Sequence, residues 1–255
     1  MAADREQIIA EEAKFADEHY QPYAEDLDIN PTMFRKYSHP SQMWDWRQRA
    51  ALLMGDLAGK KVLDLGCGMG EETVYFAKLG AEVWSIDVSP VGVEITRRRA
   101  EHNGLADRVH AQVMAADPTA FQDASFDLVH GLGILHHIGL APGLAEVKRL
   151  LKPGGLAVFL EPMGNSRLVD RLKALVYGGE MDYTDHEKPL EKRELLAMGR
   201  QFAEFRLFPY HLTFRLRSKL PWALAQKLPR LDYHLLKFLP PLTHFAGGVV
   251  VYLRK

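Results

Sequence analysis

The most constraining feature of this chain is residues 62–70, where an apolar strand runs directly into Gly66, Gly68 and Gly70. Glycine lets the backbone turn sharply here and approach a ligand that any side chain would block. The helix predicted from Glu71 then presents N–H groups that attract an anion. Asp64 adds a negative charge beside them. An anion-binding helix end next to an acid suits a zwitterionic ligand.

Composition narrows the class of protein. The 255 residues are 47% hydrophobic and 25% charged, as in an ordinary globular protein, and the net charge of −1 gives no general attraction to nucleic acid. Cys67 is the only cysteine, so an intrachain disulfide is excluded and a reducing compartment is favoured. The N-terminus lacks the apolar core of a signal peptide, and no apolar run could span a bilayer. These features predict a cytoplasmic protein.

Strand and helix alternate between residues 60 and 161. Strands are predicted at residues 61–65, 82–87, 109–114, 126–131 and 156–161, with helices at 71–79, 90–103 and 141–151. A Lys-Pro-Gly-Gly turn at 152–155 separates the last helix from the last strand. This alternation predicts a parallel sheet with helices on both faces.

The flanking regions follow other patterns. Residues 1–59 are predicted as an N-terminal helical cap, and residues 60–255 as the main domain. After residue 161 we predict a helix at 189–202 and strands at 206–214 and 248–253. Residues 163–188 and 215–245 then form two insertions that would serve as lids over a substrate.

Two acids follow predicted strands. Asp87 ends the second strand, 21 positions after Gly66, where an acid in doubly wound folds binds ribose hydroxyls. Asp117 follows the third strand and could accept a hydrogen bond from the exocyclic amine of adenine. Both positions belong to the edge of the sheet where open α/β folds bind ligands. The sequence therefore predicts a nucleoside site.

The spacing of the glycines separates two kinds of nucleoside ligand. A nicotinamide fingerprint would place its third glycine at position 71, which is Glu71, whereas Gly70 comes one residue early. Glu71 would also place a charge where a pyrophosphate should lie. Both details favour S-adenosylmethionine (SAM), whose amino-acid end is a zwitterion, over NAD.

A set of motifs resembles the class I SAM-dependent methyltransferases, in the small-molecule branch similar to the ubiquinone/menaquinone-biosynthesis (type 11) enzymes. The motifs are residues 62–70, Asp87, Asp117, residues 125–129 and residues 150–155. The resemblance implies an α/β, Rossmann-like, seven-stranded and mostly parallel sheet, with its last strand antiparallel. It also implies SAM as cofactor and S-adenosylhomocysteine (SAH) as product.

The resemblance implies roles for individual residues around the cofactor. Those holding its methionine end would be Asp64, Gly66, Gly68 and Gly70, with Gly131 offering backbone to the amine. Those around its nucleoside would be Asp87 on the ribose, Val88 packed on adenine, and Ala116 and Asp117 at the adenine edge.

Candidate catalytic residues follow the fourth and fifth strands. Methyl transfer requires in-line positioning, and it requires a base only when the nucleophile must lose a proton. His136 and His137 are candidates for that base, with His136 slightly favoured, and Glu161 could orient a substrate hydroxyl or a histidine. A structural hydrogen bond is the alternative for Glu161. Adjacent histidine side chains diverge, so no metal site is predicted.

Candidate substrate contacts lie in the weaker parts of the resemblance. Aromatic faces attract cations, so Tyr20, Tyr23 and Tyr37 could close over the sulfonium; helix packing is the alternative. His186 lies in the first insertion. The second insertion interleaves leucines with bases, and residues 205–255 hold nine bases against Asp232. This stretch is either a lid that completes the core or a surface that meets an anionic substrate or a membrane.

The sequence predicts a SAM-dependent methyltransferase acting on oxygen or carbon, or on nitrogen, of a small and fairly apolar acceptor such as a phenol, quinol or isoprenoid-like molecule. Two alternatives stay open. One is methylation of a membrane lipid or prenylated substrate at the bilayer surface, and the other is a non-catalytic SAM-binding regulatory module. Nucleic acid is not an expected partner, peripheral membrane contact is possible, and the oligomeric state is not predicted.

Overall fold

The alternating pattern forms the expected sheet in the computed structural model, which describes residues 2–164 and 190–255. Within these residues seven strands lie in the order β3-β2-β1-β4-β5-β7-β6. The strands are β1 Lys61–Leu65, β2 Glu82–Asp87, β3 Val109–Val113, β4 Phe126–Leu132, β5 Leu151–Pro162, β6 Glu204–Tyr210 and β7 Gly248–Arg254. β7 runs antiparallel to both of its neighbours and the other pairs are parallel, as predicted.

Three of the described helices begin at a side-chain N-cap. Asn30, Asp45 and Ser89 each precede a helix and accept hydrogen bonds from N–H groups of its first turn. The helices are α1 Ala2–Tyr20, α2 Pro31–Ser38, α3 Trp46–Met54, α4 Glu71–Lys78, α5 Pro90–His102, α6 Leu135–Ile138, α7 Leu140–Leu150, α8 Lys192–Gly199, α9 Trp222–Ala225 and α10 Leu228–Phe238.

The sheet order determines where a ligand can bind. From β1 the chain moves outward to β2 and β3, then returns to the other side of β1 with β4. In open α/β sheets such a reversal leaves a crevice at the carboxyl ends of the strands. The ends of β1 and β4 therefore define the site.

The helices on the two faces bury separate clusters. Beneath α7 and α8 the core contains Leu144, Leu195 and Phe159. On the opposite face Tyr37 and Met54 are buried with Phe76. Residues of the predicted cap thus pack in the same core as the glycine-turn helix, and the boundary at residue 59 stays a prediction.

Three predicted elements differ from the structure by more than one residue at a boundary. Residues 152–155 form a bulge within β5, because Phe126 pairs with Leu151 while Leu128 pairs with Leu156. The helix predicted at 189–202 is described only from Lys192 to Gly199. The strand predicted at 206–214 ends at Tyr210, because His211 takes a φ of +64°, which is incompatible with an extended strand.

The second insertion, between β6 and β7, is made of short pieces. A 3₁₀ turn at Phe214–Lys219, helices α9 and α10, and a 3₁₀ turn at Pro240–Phe245 follow one another. The first insertion, with His186, lies outside the described residues apart from Met163 and Gly164. No helix in the described part is long and apolar enough to cross a membrane.

Candidate cofactor and acceptor sites

The glycine turn is a tightly fitted loop at the end of β1. Gly66, Gly68 and Gly70 have φ values of +71°, +52° and +73°, which side chains disfavour. A Cβ on Gly66 would lie 2.8 Å from the Ile134 side chain, and one on Gly70 would lie 2.6 Å from Thr96. Both the conformation and the available space therefore require glycine at these two positions.

Asp87, the last residue of β2, is hydrogen-bonded to the glycine turn. Its Oδ2 accepts a hydrogen bond from the Gly68 N–H at 2.8 Å, and its Oδ1 accepts from the Ser89 N–H at 2.9 Å. Burial raises the pKa of this carboxyl, although the two N–H donors oppose the shift. Each oxygen keeps a further lone pair for a hydroxyl donor.

A cavity of about 310 Å³, here called the nucleoside cavity, opens beside Asp87. Its apolar walls are Ile86, Val88, Met114, Ala116, Ile134 and Ile138. A flat base would fit between these walls with the carboxylate at its sugar edge. The cavity brings together Asp87, Val88 and Ala116, which were predicted to surround the nucleoside.

Helix α1 covers the nucleoside cavity. Phe15, His19 and Tyr20 line it. The Asp17 carboxylate fixes the helix, since it accepts hydrogen bonds from the Ser89 hydroxyl and from the Val91 N–H. The N-terminal helix is thus part of the binding site.

A smaller cavity of about 190 Å³, the glycine-turn cavity, lies beside the first one. Tyr20 lines both, and burial raises the pKa of its phenol, so it is un-ionised at neutral pH. Asp64, Gly66, Gly68 and His130 also line the smaller cavity. This is where the methionine end of SAM was predicted.

Asp64 has close protein partners of its own. Its Oδ1 lies 2.9 Å from Nδ1 of His130, and its Oδ2 accepts a hydrogen bond from the Thr73 hydroxyl at 2.6 Å. The other ring nitrogen of His130, Nε2, is buried without a hydrogen-bond partner in the described part of the chain. Sequence reasoning did not select His130. The available signal was a histidine within an apolar strand, in register with Asp64.

A third and larger cavity of about 560 Å³, the acceptor cavity, lies beyond the end of β4. Leu132 and Gly133 line it together with the nucleoside cavity, so the two meet at this dipeptide. The aromatic side chains in its wall are Trp44, Trp46, Tyr210, His211 and Phe214. Trp44 and Trp46 therefore face a cavity.

Charged side chains in the acceptor cavity are mostly paired. Lys36 lies 2.7 Å from Asp45, and Arg47 lies 3.3 Å from Glu72. Asp232 accepts hydrogen bonds from the N–H and hydroxyl of Thr213. Arg217 packs over the Phe214 ring, and no carboxylate among residues 2–164 and 190–255 forms an ion pair with it.

His211 is the histidine of the acceptor cavity. Its ring packs edge-on against Trp46, with 4.4 Å between centroids, and lies 5.1 Å from Phe214. Burial, reinforced by the positive charge of Arg217, lowers its pKa to about 4. The imidazole is therefore neutral at neutral pH and keeps a basic lone pair. Sequence reasoning missed His211, which carries no motif.

The predicted catalytic residues have other positions. Glu161 is fully buried; one oxygen accepts from the N–H groups of Ile134 and Leu135, and the other lies 2.9 Å from Nδ1 of His136. Glu161 thus orients a histidine and holds the start of α6. His136 lines none of the three cavities, whereas His137 lines the nucleoside cavity and lies 3.5 Å from Glu12.

Two of the tyrosines predicted to contact the substrate, Tyr37 and Tyr23, do not line the three cavities. Tyr37 is corrected to a core residue, because its hydroxyl donates to Glu72 at 3.0 Å and its ring packs on Tyr75 and Phe76. Half of Tyr23 is exposed to solvent.

Asp117 and Gly131 also lie outside the walls of the three cavities. Asp117 pairs with Arg5 at 3.7 Å. Gly131 is buried in β4 against Ile134 and Phe159. In the described residues no group of three potential ligands is arranged to hold a metal ion.

Comparisons with known proteins agree with this geometry. Residues 62–155 match the family model described as a methyltransferase domain. An uncharacterized protein of Synechococcus is 30% identical over 74% of this chain and 46% of its own length. A demethylmenaquinone methyltransferase of Tropheryma whipplei is 35% identical over 46% of this chain and 47% of its own length. The chain thus spans less than half the length of these two relatives.

A solved structure shows the same fold. The geranyl diphosphate C-methyltransferase of Streptomyces coelicolor, in complex with Mg²⁺, geranyl diphosphate and SAH, superposes with a TM-score of 0.57. The match covers 81% of this chain and 78% of that one, at 19% identity. At this identity the likeness concerns the fold alone.

Residues 62–155, which include the glycine turn and strands β2 to β4, match a methyltransferase domain, and the strand order is the one expected for the class I SAM-dependent fold. SAM is the cofactor of this family, and the walls of the nucleoside cavity fit its adenosine.

Proposed function

We propose that the protein transfers a methyl group from SAM to oxygen or carbon of a small, largely apolar acceptor held in the acceptor cavity. Phenols, quinols and isoprenoid-like molecules are the leading classes, and a nitrogen acceptor is compatible with the same cavity. The observation that carries the proposal is that Leu132 and Gly133 line both the nucleoside and acceptor cavities.

The chain's contribution to this reaction is chiefly positional. Bound SAM supplies an already activated methyl group, so the protein gains most by holding the two partners in line. Asp87 and the glycine turn would hold the cofactor on one side of Leu132. The wall that includes Trp46 and His211 would hold the acceptor on the other.

His211 is our proposed proton acceptor for a hydroxyl nucleophile. Its ring lines the acceptor cavity, and its lowered pKa keeps it neutral. A neutral imidazole can accept a hydrogen bond from an acceptor hydroxyl; its low pKa makes it a weak base, so it takes the proton as the O–CH₃ bond forms and that proton becomes strongly acidic. His136 is held by Glu161 outside this cavity, so we assign it a structural role instead.

The residues that line the acceptor cavity suit a small and largely apolar acceptor. Trp44, Trp46 and Phe214 offer flat apolar faces, and cavities of this size hold drug-sized molecules. Arg217 is placed to take a polar or anionic group at one end of the acceptor. A quinone-directed relative and a fold neighbour acting on geranyl diphosphate are compatible with such a molecule.

The first test combines binding with turnover. We expect calorimetric titration to show micromolar SAH binding and no NADH binding. The protein is then incubated with SAM and panels of quinols, phenols and isoprenoids, while SAH formation and methylated products are followed by mass spectrometry. His211→Ala should lower kcat at least tenfold with a hydroxyl acceptor and change SAH affinity less than twofold.

Each contrary result has a distinct meaning. Binding of NADH instead of SAH would overturn the cofactor assignment. SAH binding without methylation of any acceptor, including crude lipid and metabolite extracts, would favour the non-catalytic SAM-binding module. Full activity of His211→Ala would remove that residue from the mechanism and leave the cavity assignment standing.

A further inference from the structure

The insertion between β6 and β7 exposes large apolar side chains. Of the thirteen large hydrophobic residues exposed in the described chain, eight lie between residues 214 and 245. They are Phe214, Leu220, Trp222, Leu224, Leu231, Phe238, Leu239 and Phe245. Trp222 is 75% exposed and Phe238 69%, so neither completes the core. We call residues 214–245 the lid surface.

In helix α10 the buried residues lie on one side, and exposed apolar residues lie on another. Leu228, Asp232 and Leu236 are buried at intervals of four residues, which places them on one face of the helix. Leu231 and Phe238, seven residues apart, lie on another side of the helix and are exposed to solvent. Apolar side chains that are exposed on the outer side of a helix often mark a site of interaction with another molecule.

The charges of the lid surface have one sign. Its exposed bases include Lys227, Arg230 and Lys237. Its only acid is Asp232, which is 4% exposed and is engaged by Thr213. The lid surface therefore offers bases and apolar groups to a partner, with no exposed acid.

We propose that the lid surface docks on the face of an anionic lipid bilayer. Each base near such a surface strengthens binding, and the long Lys and Arg side chains can reach phosphates while apolar neighbours enter the headgroup region. Tryptophan favours this interface. Pro221, Pro229 and Pro240 divide the segment into short pieces, which suits shallow insertion.

The charge pattern disfavours a second copy of this chain as the occupant. A two-fold interface would bring the same patch of each copy together. Bases such as Lys227, Arg230 and Lys237 would then face one another with no exposed acid on either side to balance them. A bilayer supplies the missing negative charge.

Docking would also orient the acceptor cavity. Phe214, Arg217 and Pro229 line that cavity and belong to the same insertion as the exposed side chains. If the proposed function holds, an apolar acceptor dissolved in the membrane passes directly from the bilayer into the acceptor cavity and is not exposed to bulk water. The docking itself does not depend on methyl transfer.

The test is co-sedimentation of the full chain with vesicles. We expect binding to vesicles of phosphatidylcholine mixed with phosphatidylglycerol, at least tenfold weaker binding to phosphatidylcholine alone, and loss of binding as salt is raised. The double variant Trp222→Ser/Phe238→Ser should weaken binding at least tenfold. The triple variant Lys227→Gln/Arg230→Gln/Lys237→Gln should weaken it about a hundredfold and reduce the salt dependence.

Controls keep this proposal separate from the proposed function. Leu52→Ser removes an exposed apolar side chain outside the lid surface and should bind vesicles like the parent. SAH affinity reports that every variant is folded. Absence of vesicle binding, or binding unchanged in both lid variants, overturns the proposal. Loss of a dimer in the double variant, seen by sedimentation velocity, would instead identify a protein interface. Absence of methyl transfer would leave the vesicle result unaffected.

Discussion

The carboxylate of Asp64 lies 2.9 Å from Nδ1 of His130 on the neighbouring strand, and both side chains are buried. Thr73 donates to the other carboxylate oxygen. This arrangement gives Asp64 a structural task beside the cofactor site, because three buried polar groups satisfy one another there.

Asp64→Ala should therefore lower the free energy of unfolding by about 2 to 4 kcal/mol, since it leaves the buried His130 ring without a partner and removes one of the two side-chain partners of the Thr73 hydroxyl. Urea denaturation measures the change. Asp56→Ala, at an exposed turn, is the control and should cost less than about 1 kcal/mol. Unchanged stability with lost SAH affinity would mean that Asp64 serves the ligand instead.

Gly70→Ala should destabilise the protein more than a positive φ alone explains. Gly59 has a φ of +71°, close to the +73° of Gly70, but a Cβ on Gly59 would meet nothing within 4 Å. Gly59→Ala thus measures the backbone cost, about 1 to 2 kcal/mol. Gly70→Ala adds a clash with Thr96 at the cofactor turn. We expect lower stability than in Gly59→Ala and weakened SAH binding; equal behaviour of the two variants would contradict the packing.

SAH affinity should fall on acidification at a higher pH than an ordinary aspartate would cause, because burial raises the pKa of Asp87. A protonated carboxyl is a poorer acceptor for ribose hydroxyls. The same shift means that the folded chain binds this proton more readily than the unfolded chain, so protonation of Asp87 does not itself unfold the protein.

Calorimetric titrations across the acid range test this behaviour. Asp87→Ala should weaken SAH binding more than tenfold, and Asp87→Asn should bind weakly with little pH dependence. A parent profile as flat as that of Asp87→Asn would exclude Asp87 as the titrating group.

His211 should make stability fall as the pH is lowered. Its pKa drops from 6.5 to about 4 in the folded chain, so between these values the unfolded chain binds more protons. Stabilisation is complete above pH 6.5 and is lost toward pH 4, by at most about 3 kcal/mol. Urea midpoints measured against pH should show this slope in the parent and a shallower one in His211→Gln. His102→Gln, at a half-exposed histidine, should retain the parent slope.

Substitutions of the adjacent His136 and His137 should differ in their effects on stability and on SAH affinity. His136→Ala leaves a buried oxygen of Glu161 without its histidine partner, so we expect a stability loss of about 1 to 3 kcal/mol with SAH affinity nearly unchanged. His137→Ala alters the wall of the nucleoside cavity and should weaken SAH binding with a smaller effect on stability. The reverse pattern would show that their positions are exchanged in solution.

The features predicted correctly from the sequence are those that depend on residues close together along the chain. Gly66, Gly68 and Gly70 and the N-cap at Ser89 have the backbone roles that residue type and position predict, whereas the ribose contact of Asp87 stays a prediction. Strands β1 and β2 begin and end where the apolar runs do.

Sequence reasoning failed where side chains meet across long sequence separations. Tyr37 was an aromatic candidate for the sulfonium, yet its partner is Glu72, 35 residues away. The pairing of His130 with Asp64 depends on the β1–β4 register, which spacing along the chain does not reveal. His211 reaches the acceptor cavity because β6 ends with a positive φ, a property that residue type alone does not indicate.

Leu132 lines all three cavities, and they are bounded by different parts of the chain. Helix α1 covers the nucleoside side, whereas the insertion after β6 bounds the acceptor side. Under the proposed function, spent and fresh cofactor can be exchanged beneath α1 while the acceptor stays in place. The architecture therefore permits successive methylations of one bound molecule, and products carrying more than one new methyl group would be formed without passing through bulk solvent.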